Sequence, residues 1–517
     1  MADVAIHKRK RIPITLSLLL AGVAFAGLVS SIIESPQSDA EFLHAHLNPV
    51  SIESQLLWEA VSFDLPEQDK VKLGRIITRS ESSNSISGLQ SILTGQAFDT
   101  ALKDSCSAAS TSCSIPLRLN RSLKAVEVNK DFRVANIEEK SLRVNLQTKF
   151  EAGDVTLQGM SQETRILRFY QTQSGWVNNA SEVVETKHSS FTHRKGQFSD
   201  SFSKRFTGLN YYPASASWAD FWKEFPIADI QVDLEKVKSL NVNSLRIFLN
   251  HDFFDKAETR EEGLAKLRTF LDMCEGKDIK VLVTFFDLRP NYTLSNWAND
   301  IQHIDSVLST IHEHNAILGI DLKNQPDLDF ENWGNGLVEG WLTVMARHVH
   351  TQYPKLAVTA GWSKAENALR LKDVFDFITY HEYENPEGFE ARLNSIVAAA
   401  DEKPVMITEL GSTVWHPPFI RRFGESAQAK RLQIQLEQAD TANGVFVWTL
   451  NDYDHVGKNV VGPLPWRQAQ QRHFGLLRAD DTFRPAADVL KSFGNRPELD
   501  RGETNLTDFK STQKTTF

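Results

Sequence analysis

The chain has 517 residues, and its 57 lysines and arginines against 66 aspartates and glutamates give a formal net charge of −9. Hydrophobic residues make up 41% and charged residues 24% of it, which is typical of a globular protein and excludes a wholly disordered or collagen-like chain. The acidic excess argues against a protein that coats nucleic acid, because phosphate neutralisation needs a basic surface.

The N-terminal region carries a basic block followed by a long apolar run. Residues 8–11 are all lysine or arginine, and residues 12–33 contain no charge over 22 positions. As a helix, that length crosses a hydrocarbon core of about 30 Å. We therefore expect a cytoplasmic tail over 1–11, an uncleaved single-pass anchor in the inner (cell) membrane over 12–33, and the bulk of the chain periplasmic or extracellular. A cleaved signal peptide ending at Ala24-Phe25-Ala26 is the alternative.

Residues 41–195 are predicted to form a small α+β domain. Helical character is mixed over 43–63, and strand-like alternation begins near Ser122 and places Leu142, Val144, Leu146 and Phe150 on one face. A hairpin is expected from 165–170 and 176–184. Helices before long antiparallel strands favour a cystatin-like or nuclear-transport-factor-like cone, with a small β-sandwich as the alternative. This region carries no motif for chemistry, which favours a spacer or a protein-binding module.

The three cysteines are too few for a disulfide framework and lack the spacing of a zinc site. An oxidising compartment would permit a structural bridge between Cys106 and Cys113 across a short loop, and the sequence leaves this open. Cys274 falls in a helical stretch and is expected to be a buried apolar residue.

From residue 206 onward, short apolar runs alternate with segments of helical periodicity. Eight such runs predict a (β/α)8 TIM barrel over 206–493, followed by a polar tail over 494–517. A doubly wound sheet also alternates, but the first run continues as Asn210-Tyr211-Tyr212-Pro213 and no Gly-rich phosphate loop follows it. The predicted fold class is therefore α/β, a TIM barrel preceded by a small α+β domain and an N-terminal transmembrane helix. The runs are 206–212, 243–249, 279–286, 316–322, 356–361, 375–380, 404–408 and 444–450.

Polar and aromatic residues end most of these predicted strands. In a barrel of this kind the catalytic groups project from the C-terminal strand ends. Aromatic faces can stack on sugar rings, amides and cations can bind hydroxyls, and a carboxylate can attack or stabilise an anomeric carbon. The set therefore favours a sugar site. Its members are Arg246, Asp287, Asn324, Gln325, Trp362, His381, Tyr383, Glu409 and Trp448.

Three segments carry a resemblance to a known family, namely 208–213 at the first strand, 243–248 at the second, and 474–486 before the last helix. With them, the barrel region resembles the retaining glycoside hydrolases of clan A, in particular the cellulase-like family five and close relatives. The resemblance does not extend to the N-terminal region. It implies catalytic carboxylates at the ends of strands four and seven, and the strand-seven nucleophile maps onto Glu409.

The strand-four position departs from the family pattern. The family has its acid/base glutamate in an Asn-Glu-Pro motif, whereas this chain reads Asn324-Gln325-Pro326. Retaining hydrolysis needs a group that protonates the leaving oxygen and then activates water, and an amide cannot exchange a proton in this way. Three interpretations stay open: a non-catalytic glycan-binding protein; a nearby carboxylate that supplies the proton; or either a position that was altered or an enzyme that works slowly or by transfer. The nearby carboxylates are Asp327, Asp329, Glu331, Glu382 and Glu384, with Asp327 the better substitute.

The resemblance also implies roles for the residues around Glu409. Arg246 would orient Glu409 and keep it ionised, since a nearby cation lowers the pKa of a carboxyl group. Tyr383 would donate a hydrogen bond to Glu409. The other expected sugar contacts are Asn324 at a 2-hydroxyl, His381 along the pocket, Trp448 as its floor, Asp287 at a hydroxyl, and Trp362, Trp333 and Trp415 along a groove.

The function expected from the sequence is that of a retaining glycoside hydrolase-like protein acting on a polysaccharide or oligosaccharide. The alternative is a non-catalytic glycan-binding protein in a membrane-associated polysaccharide assembly system, with residues 41–195 as a possible site for a protein partner. No cofactor is implied. A metal hydrolase is disfavoured, because no two histidines stand at ligand spacing on a strand end, and His312 and His314 face different sides of a helix.

Overall fold

The structure is a computed structural model of the whole chain. It describes residues 56–58, 70, 72–73, 77, 112–129, 134–149, 154–173, 175–188, 198, 201–289, 291–293, 296–416 and 424–495. The predicted tail (1–11), the predicted anchor (12–33), Cys106 and the C-terminal residues from 496 lie outside this part. Within the described part, no helix has the length and apolarity needed to cross a membrane.

The N-terminal region contains a five-stranded sheet in the order β1-β2-β3-β4-β5. Strand β1 runs parallel to β2, and the other neighbours are antiparallel. The expected hairpin is present, since β4 pairs with β5 up to Thr172 opposite Gly175. The prediction of helical character over 43–63 is wrong at residues 56–58. These residues form a strand at the edge of the sheet, where they pair with β2. The strands are Leu56–Trp58 (β1), Ser112–Asn129 (β2), Val134–Lys149 (β3), Asp154–Thr172 (β4) and Gly175–His188 (β5).

Eight further strands form a parallel barrel, as the alternation predicts. Their order follows the chain, and the ring closes between the fifth and sixth strands, where Trp362 bridges to Tyr380. The strands are Phe206–Asn210 (β6), Ser244–Phe248 (β7), Lys280–Thr284 (β8), Ile317–Asn324 (β9), Val358–Gly361 (β10), Ile378–Glu382 (β11), Val405–Leu410 (β12) and Gly444–Val447 (β13).

Helices surround these strands, and most of them bury side chains on their inner face. They are Ala219–Glu224 (α1), Ile227–Ser239 (α2), His251–Asp255 (α3), Ala257–Glu275 (α4), Trp297–Ile311 (α5), Phe330–Trp333 (α6), Asn335–Gln352 (α7), Phe389–Ala399 (α8), Glu425–Glu437 (α9), Lys458–Val461 (α10), Pro465–Arg472 (α11) and Pro485–Gly494 (α12). Cys274, in α4, is fully buried, as expected. The described part therefore combines a (β/α)8 barrel with a largely antiparallel sheet.

The barrel interior is divided into an apolar end and a polar end. Apolar side chains fill the end where the strands begin; they are Phe206, Leu282, Leu318, Ala357, Phe377, Met406 and Phe446. A Cβ atom on Gly208 would lie 2.2 Å from the Phe446 ring, so only glycine fits there. One step further along the strands the interior becomes polar, with Arg246, Thr284 and Asp321 fully buried. This layering places the charged groups at the C-terminal strand ends.

The sheet packs on the barrel through two helices. Strand β4 lies against α7 and β2 against α5. Val144 and Leu146 share a buried face, as predicted, and belong to the same apolar cluster as the barrel core. The other end of the sheet buries a separate cluster that includes Ile137, Phe169 and Leu73. Strand β3 thus buries opposite faces along its length, with Val144 and Leu146 in the barrel cluster and Ile137 in the cluster that contains Leu73.

Candidate active site

Arg246 is the centre of the polar layer. It lies in β7 with a fully buried side chain, and its guanidinium contacts two carboxylates. Nη1 donates to Glu409 Oε1 at 2.6 Å, while Nη2 and Nε donate to Asp321 Oδ2 at 2.6 and 3.0 Å. Burial alone would lower the pKa of Arg246, but Asp321 and Glu409 outweigh it and the pKa is raised. The guanidinium therefore stays charged and holds both acids in place.

Glu409 reaches this layer because β12 is irregular at its end. Strict alternation from the interior Met406 would point Thr408 inward and Glu409 outward. The register between β11 and β12 shifts after Ile407, however, so that His381 pairs with Glu409. A bulge of this kind re-aims a side chain, and such bulges are common beside active sites. The irregularity therefore turns the Glu409 carboxyl towards Arg246.

Glu409 is 5% exposed, and its carboxyl group is hydrogen-bonded on both oxygens. Oε1 accepts from Arg246, Oε2 accepts from the Tyr383 hydroxyl at 2.9 Å, and His381 Nδ1 lies 3.4 Å from Oε2. Desolvation by burial raises the pKa of Glu409 to about 7, against the lowering effect of Arg246 and Tyr383, and Asp287 contributes to the rise. The group can thus exchange a proton near neutral pH.

Asn324 links the Arg246 network to the third strand. Its Oδ1 accepts from Arg246 Nη2 at 2.9 Å, and its Nδ2 donates to Asp287 Oδ1 at 3.1 Å. Both side chains are half-buried at the mouth of the barrel. Burial raises the pKa of Asp287, although Lys323, Asn324 and Arg246 act in the opposite direction. Asp287 is therefore an acid that retains its proton more readily than a surface aspartate does.

Gln325 directly follows the fourth barrel strand, and its side chain contacts His381. Its backbone is left-handed, with φ of 49°, and its Nε2 lies 2.9 Å from His381 Nδ1. Burial and then the charge of Arg246 hold the pKa of His381 well below its usual value, so the ring is neutral. The amide and the imidazole therefore form a neutral pair next to Glu409.

Asp327 and Glu382 are among the carboxylates suggested as substitutes for the missing glutamate, and both are engaged elsewhere. Asp327 accepts from the Ser363 backbone and hydroxyl, both at 2.8 Å, and from Asn367 at 2.7 Å. Glu382 points away from Glu409 and pairs with Arg392 at 2.9 Å. Both acids therefore fix loops and helices around the barrel.

The aromatic residues differ in their access to the mouth. Tyr383 is 38% exposed, and Trp333 and Trp415 are half-buried. Trp448 is 6% exposed, with its ring centroid 5.9 Å from that of Phe248. Trp362 is 1% exposed, so its ring lies in the core and not on the surface of a groove.

Two members of the polar layer received no role from the sequence. Asp321 is fully buried and also accepts from Thr284 at 3.0 Å and from the Gly361 backbone at 3.0 Å. Asn210 accepts from Arg246 at 3.2 Å. A sequence signal for both residues exists. Asn210 and Asp321 each stand two positions after a glycine, Gly208 and Gly319 respectively, and residues two positions apart in a strand share a face.

Gly361 permits the close approach of Arg246. A Cβ atom there would lie 3.0 Å from Arg246 Nη2, 3.1 Å from His381 Nε2 and 3.3 Å from Asp321 Oδ2. Any side chain at this position would therefore push against three members of the polar layer at once.

Two clusters of described residues have the composition of metal ligands, namely His251, Asp255 and His303, and Asp272, Glu275 and His314. In the first, the candidate ligand atoms lie within 4.8 Å of one another, but Arg289 contacts His251, so a cation already lies beside them. In the second, His314 is already paired with Asp272 at 3.0 Å on the helix surface. Neither arrangement favours a metal ion.

No protein-family model matches the chain, and no curated protein matches it in sequence. Solved structures do resemble it. An exo-β-1,4-mannosidase from Opitutaceae bacterium strain TAV5 aligns at 18% identity with a TM-score of 0.46, covering 56% of this chain and 59% of that one. This chain therefore spans less than two thirds of the mannosidase.

Two further solved structures have similar scores. A GH5_18 variant from Streptomyces cattleya, in complex with Manb1-4GlcNAc, aligns at 17% identity with a TM-score of 0.45, covering 58% of this chain and 82% of that one. A GH2 β-galacturonidase from Eisenbergiella tayi aligns at 13% identity with a TM-score of 0.45, covering 74% and 73%. These three solved structures are those of a mannosidase, a GH5_18 protein and a GH2 β-galacturonidase.

Proposed function

We propose that this protein is a retaining glycoside hydrolase-like protein that acts on a polysaccharide or oligosaccharide, with Glu409 as its nucleophile. The observation that carries the proposal is the position of Glu409. The carboxyl lies at the C-terminal end of the seventh barrel strand and is held by Arg246 at 2.6 Å and Tyr383 at 2.9 Å. The two donors fix its orientation and favour its ionised form. A carboxylate so placed can attack an anomeric carbon.

The residues around Glu409 suit a sugar ring. Asn324 and Asp287 present amide and carboxyl groups at the half-buried mouth, where they can bind hydroxyls. Tyr383 adds an exposed aromatic face. We assign Trp448 to the floor of the sugar site, beneath the ring.

Covalent labelling tests the nucleophile. The wild-type protein, treated with 2-deoxy-2-fluoro glycosyl fluorides of common hexoses, is expected to gain one sugar on the peptide that contains Glu409. The fluorine slows both steps, while the fluoride leaving group needs no protonation, so the ester accumulates. Mass spectrometry of the digested protein locates the label. A label on a different carboxylate, in a protein that turns over an aryl glycoside, would contradict the assignment.

The pH dependence should follow the ionisation of Glu409. Because the nucleophile must be ionised and its pKa is raised to about 7, kcat/KM on a 2,4-dinitrophenyl glycoside should fall as the pH drops through about 7. Tyr383→Phe removes a donor that stabilises the carboxylate, so the midpoint should move to higher pH. Rates measured from pH 5 to 9 check both expectations. A flat wild-type profile, or a midpoint lowered by Tyr383→Phe, would contradict them.

The second candidate function is glycan binding without turnover, in a membrane-associated polysaccharide assembly system. Gln325 favours it, because an amide at the acid/base position cannot transfer a proton. The residues that would hold the sugar are the same. Turnover of any unactivated glycoside by the wild-type protein would reject this candidate.

A further inference from the structure

The proposed reaction needs a proton donor that the strand-four position does not provide. In retaining hydrolysis one group protonates the departing oxygen and later deprotonates water. Gln325 cannot do either, and its Nε2 is held against His381 at 2.9 Å. The missing group must therefore come from another element at the barrel mouth.

Most acids near the mouth are engaged elsewhere. Asp321 is buried beneath Arg246, and Asp329 accepts from Tyr292 at 2.7 Å and pairs with Lys323 at 3.5 Å. Asp327 receives three hydrogen bonds from the loop after the fifth strand. Glu382 and Glu384 both face Arg392, at 2.9 and 3.7 Å. These contacts occupy the carboxylate oxygens of each acid, so the five acids serve as structural anchors.

Asp287 differs from these acids in its partners. Its described side-chain partner is the neutral amide of Asn324, at 3.1 Å, whereas the neighbouring Lys323 pairs with Asp329. Asp287 is half-buried, and desolvation raises its pKa even though Lys323, Asn324 and Arg246 oppose the rise. A carboxyl group that keeps its proton in this way is suited to general acid catalysis.

The barrel places Asp287 opposite the nucleophile. Asp287 follows the third strand and Glu409 ends the seventh, so the two acids are separated by half of an eight-strand ring. Arg246 and Asn324 connect them through three hydrogen bonds, at 2.6, 2.9 and 3.1 Å. Glycoside hydrolysis uses two carboxyl groups that flank the scissile bond. Asp287 and Glu409 are two such groups at opposite strand ends of the ring.

We propose that Asp287 is the general acid and base of this site, in place of the family's strand-four glutamate. The proposal rests on the proposed function above. In the first step Glu409 attacks the anomeric carbon, the bond to the leaving oxygen breaks, and that oxygen takes its electron pair and the proton of Asp287. In the second step Asp287 removes a proton from water, the water oxygen attacks the anomeric carbon, and the electron pair of the ester bond returns to Glu409.

The test compares leaving groups in Asp287→Asn, which preserves the shape and the contact with Asn324. With phenyl glycosides, kcat/KM should fall by about 10²–10⁴-fold, the usual contribution of general acid–base catalysis. With 2,4-dinitrophenyl glycosides, whose leaving group needs no proton, formation of the glycosyl-enzyme should change little. Azide should then accelerate turnover of the variant and give a glycosyl azide of retained configuration, because it attacks the glycosyl-enzyme in place of water.

Asp327→Asn is the matched control, since it removes a neighbouring carboxyl group whose oxygens are engaged by a loop. It should keep the leaving-group dependence of the wild type and show no azide effect.

If Asp287→Asn behaves like the wild type with every leaving group while Glu409 is still labelled, the proposal is overturned and the proposed function stands. If Asp287→Asn loses activity equally with both leaving groups and azide does not restore it, Asp287 binds a hydroxyl and the proposal is likewise overturned. If the wild type neither turns over a substrate nor labels at Glu409, the proposed function fails and the role of Asp287 with it.

Discussion

Replacing Glu409 with glutamine is expected to lower kcat/KM on a 2,4-dinitrophenyl glycoside by on the order of 10⁶-fold, as for the loss of a nucleophile in other covalent catalysts. The amide keeps the shape of the side chain but cannot form the glycosyl ester. The variant should still fold, because Asp321 remains paired with Arg246 at 2.6 Å. Steady-state rates and an unfolding curve for each protein check these two statements.

Glu382→Gln is the matched control for this substitution. Glu382 is equally buried, lies at the end of the adjacent strand and faces Arg392 instead of the mouth. It should retain wild-type activity on the same substrate. Comparable losses in the two variants would show that burial of a carboxylate at this end of the barrel, and not nucleophilic attack by Glu409, accounts for the effect.

Arg246→Met should destabilise the barrel by about 3–5 kcal/mol, the typical effect of removing one member of a buried ion pair. The substitution leaves Asp321 fully buried with the hydroxyl of Thr284 and the backbone of Gly361 as its donors. It also removes the cation that lowers the pKa of Glu409, so the nucleophile should be protonated at neutral pH. The free energy of unfolding in urea, followed by tryptophan fluorescence, measures the first effect.

Arg370→Met provides the comparison for stability. Arg370 pairs with Glu339 at 2.6 Å, but the two side chains are 37% and 27% exposed. Water screens such a pair, and its loss should change the free energy of unfolding by about 1 kcal/mol or less. If Arg246→Met were no more destabilising than Arg370→Met, the buried network would not be a source of stability.

Much of the barrel follows from local sequence patterns. The eight apolar runs predicted from 206 onward coincide with the eight strands, because runs of apolar residues between helical segments have few other ways to be buried. The contact between Arg246 and Glu409 was expected from the family resemblance and not from a local pattern. The strand at 56–58 was missed, because three residues carry too little periodicity to outweigh the helical character around them.

By itself, the sequence determined the eight-strand alternation, the position of Glu409 at the end of the seventh strand and the amide at position 325. The tertiary structure decided which of these groups meet. The shifted register after Ile407 turns Glu409 inward, the interior packing makes Asp321 the second partner of Arg246, and the contact with Asn324 brings Asp287 into the same network. Arg246 and Asp321 are 75 positions apart along the chain, and Asp287 and Asn324 are 37 positions apart. Their contacts therefore depend on how the strands align around the barrel and not on any local periodicity.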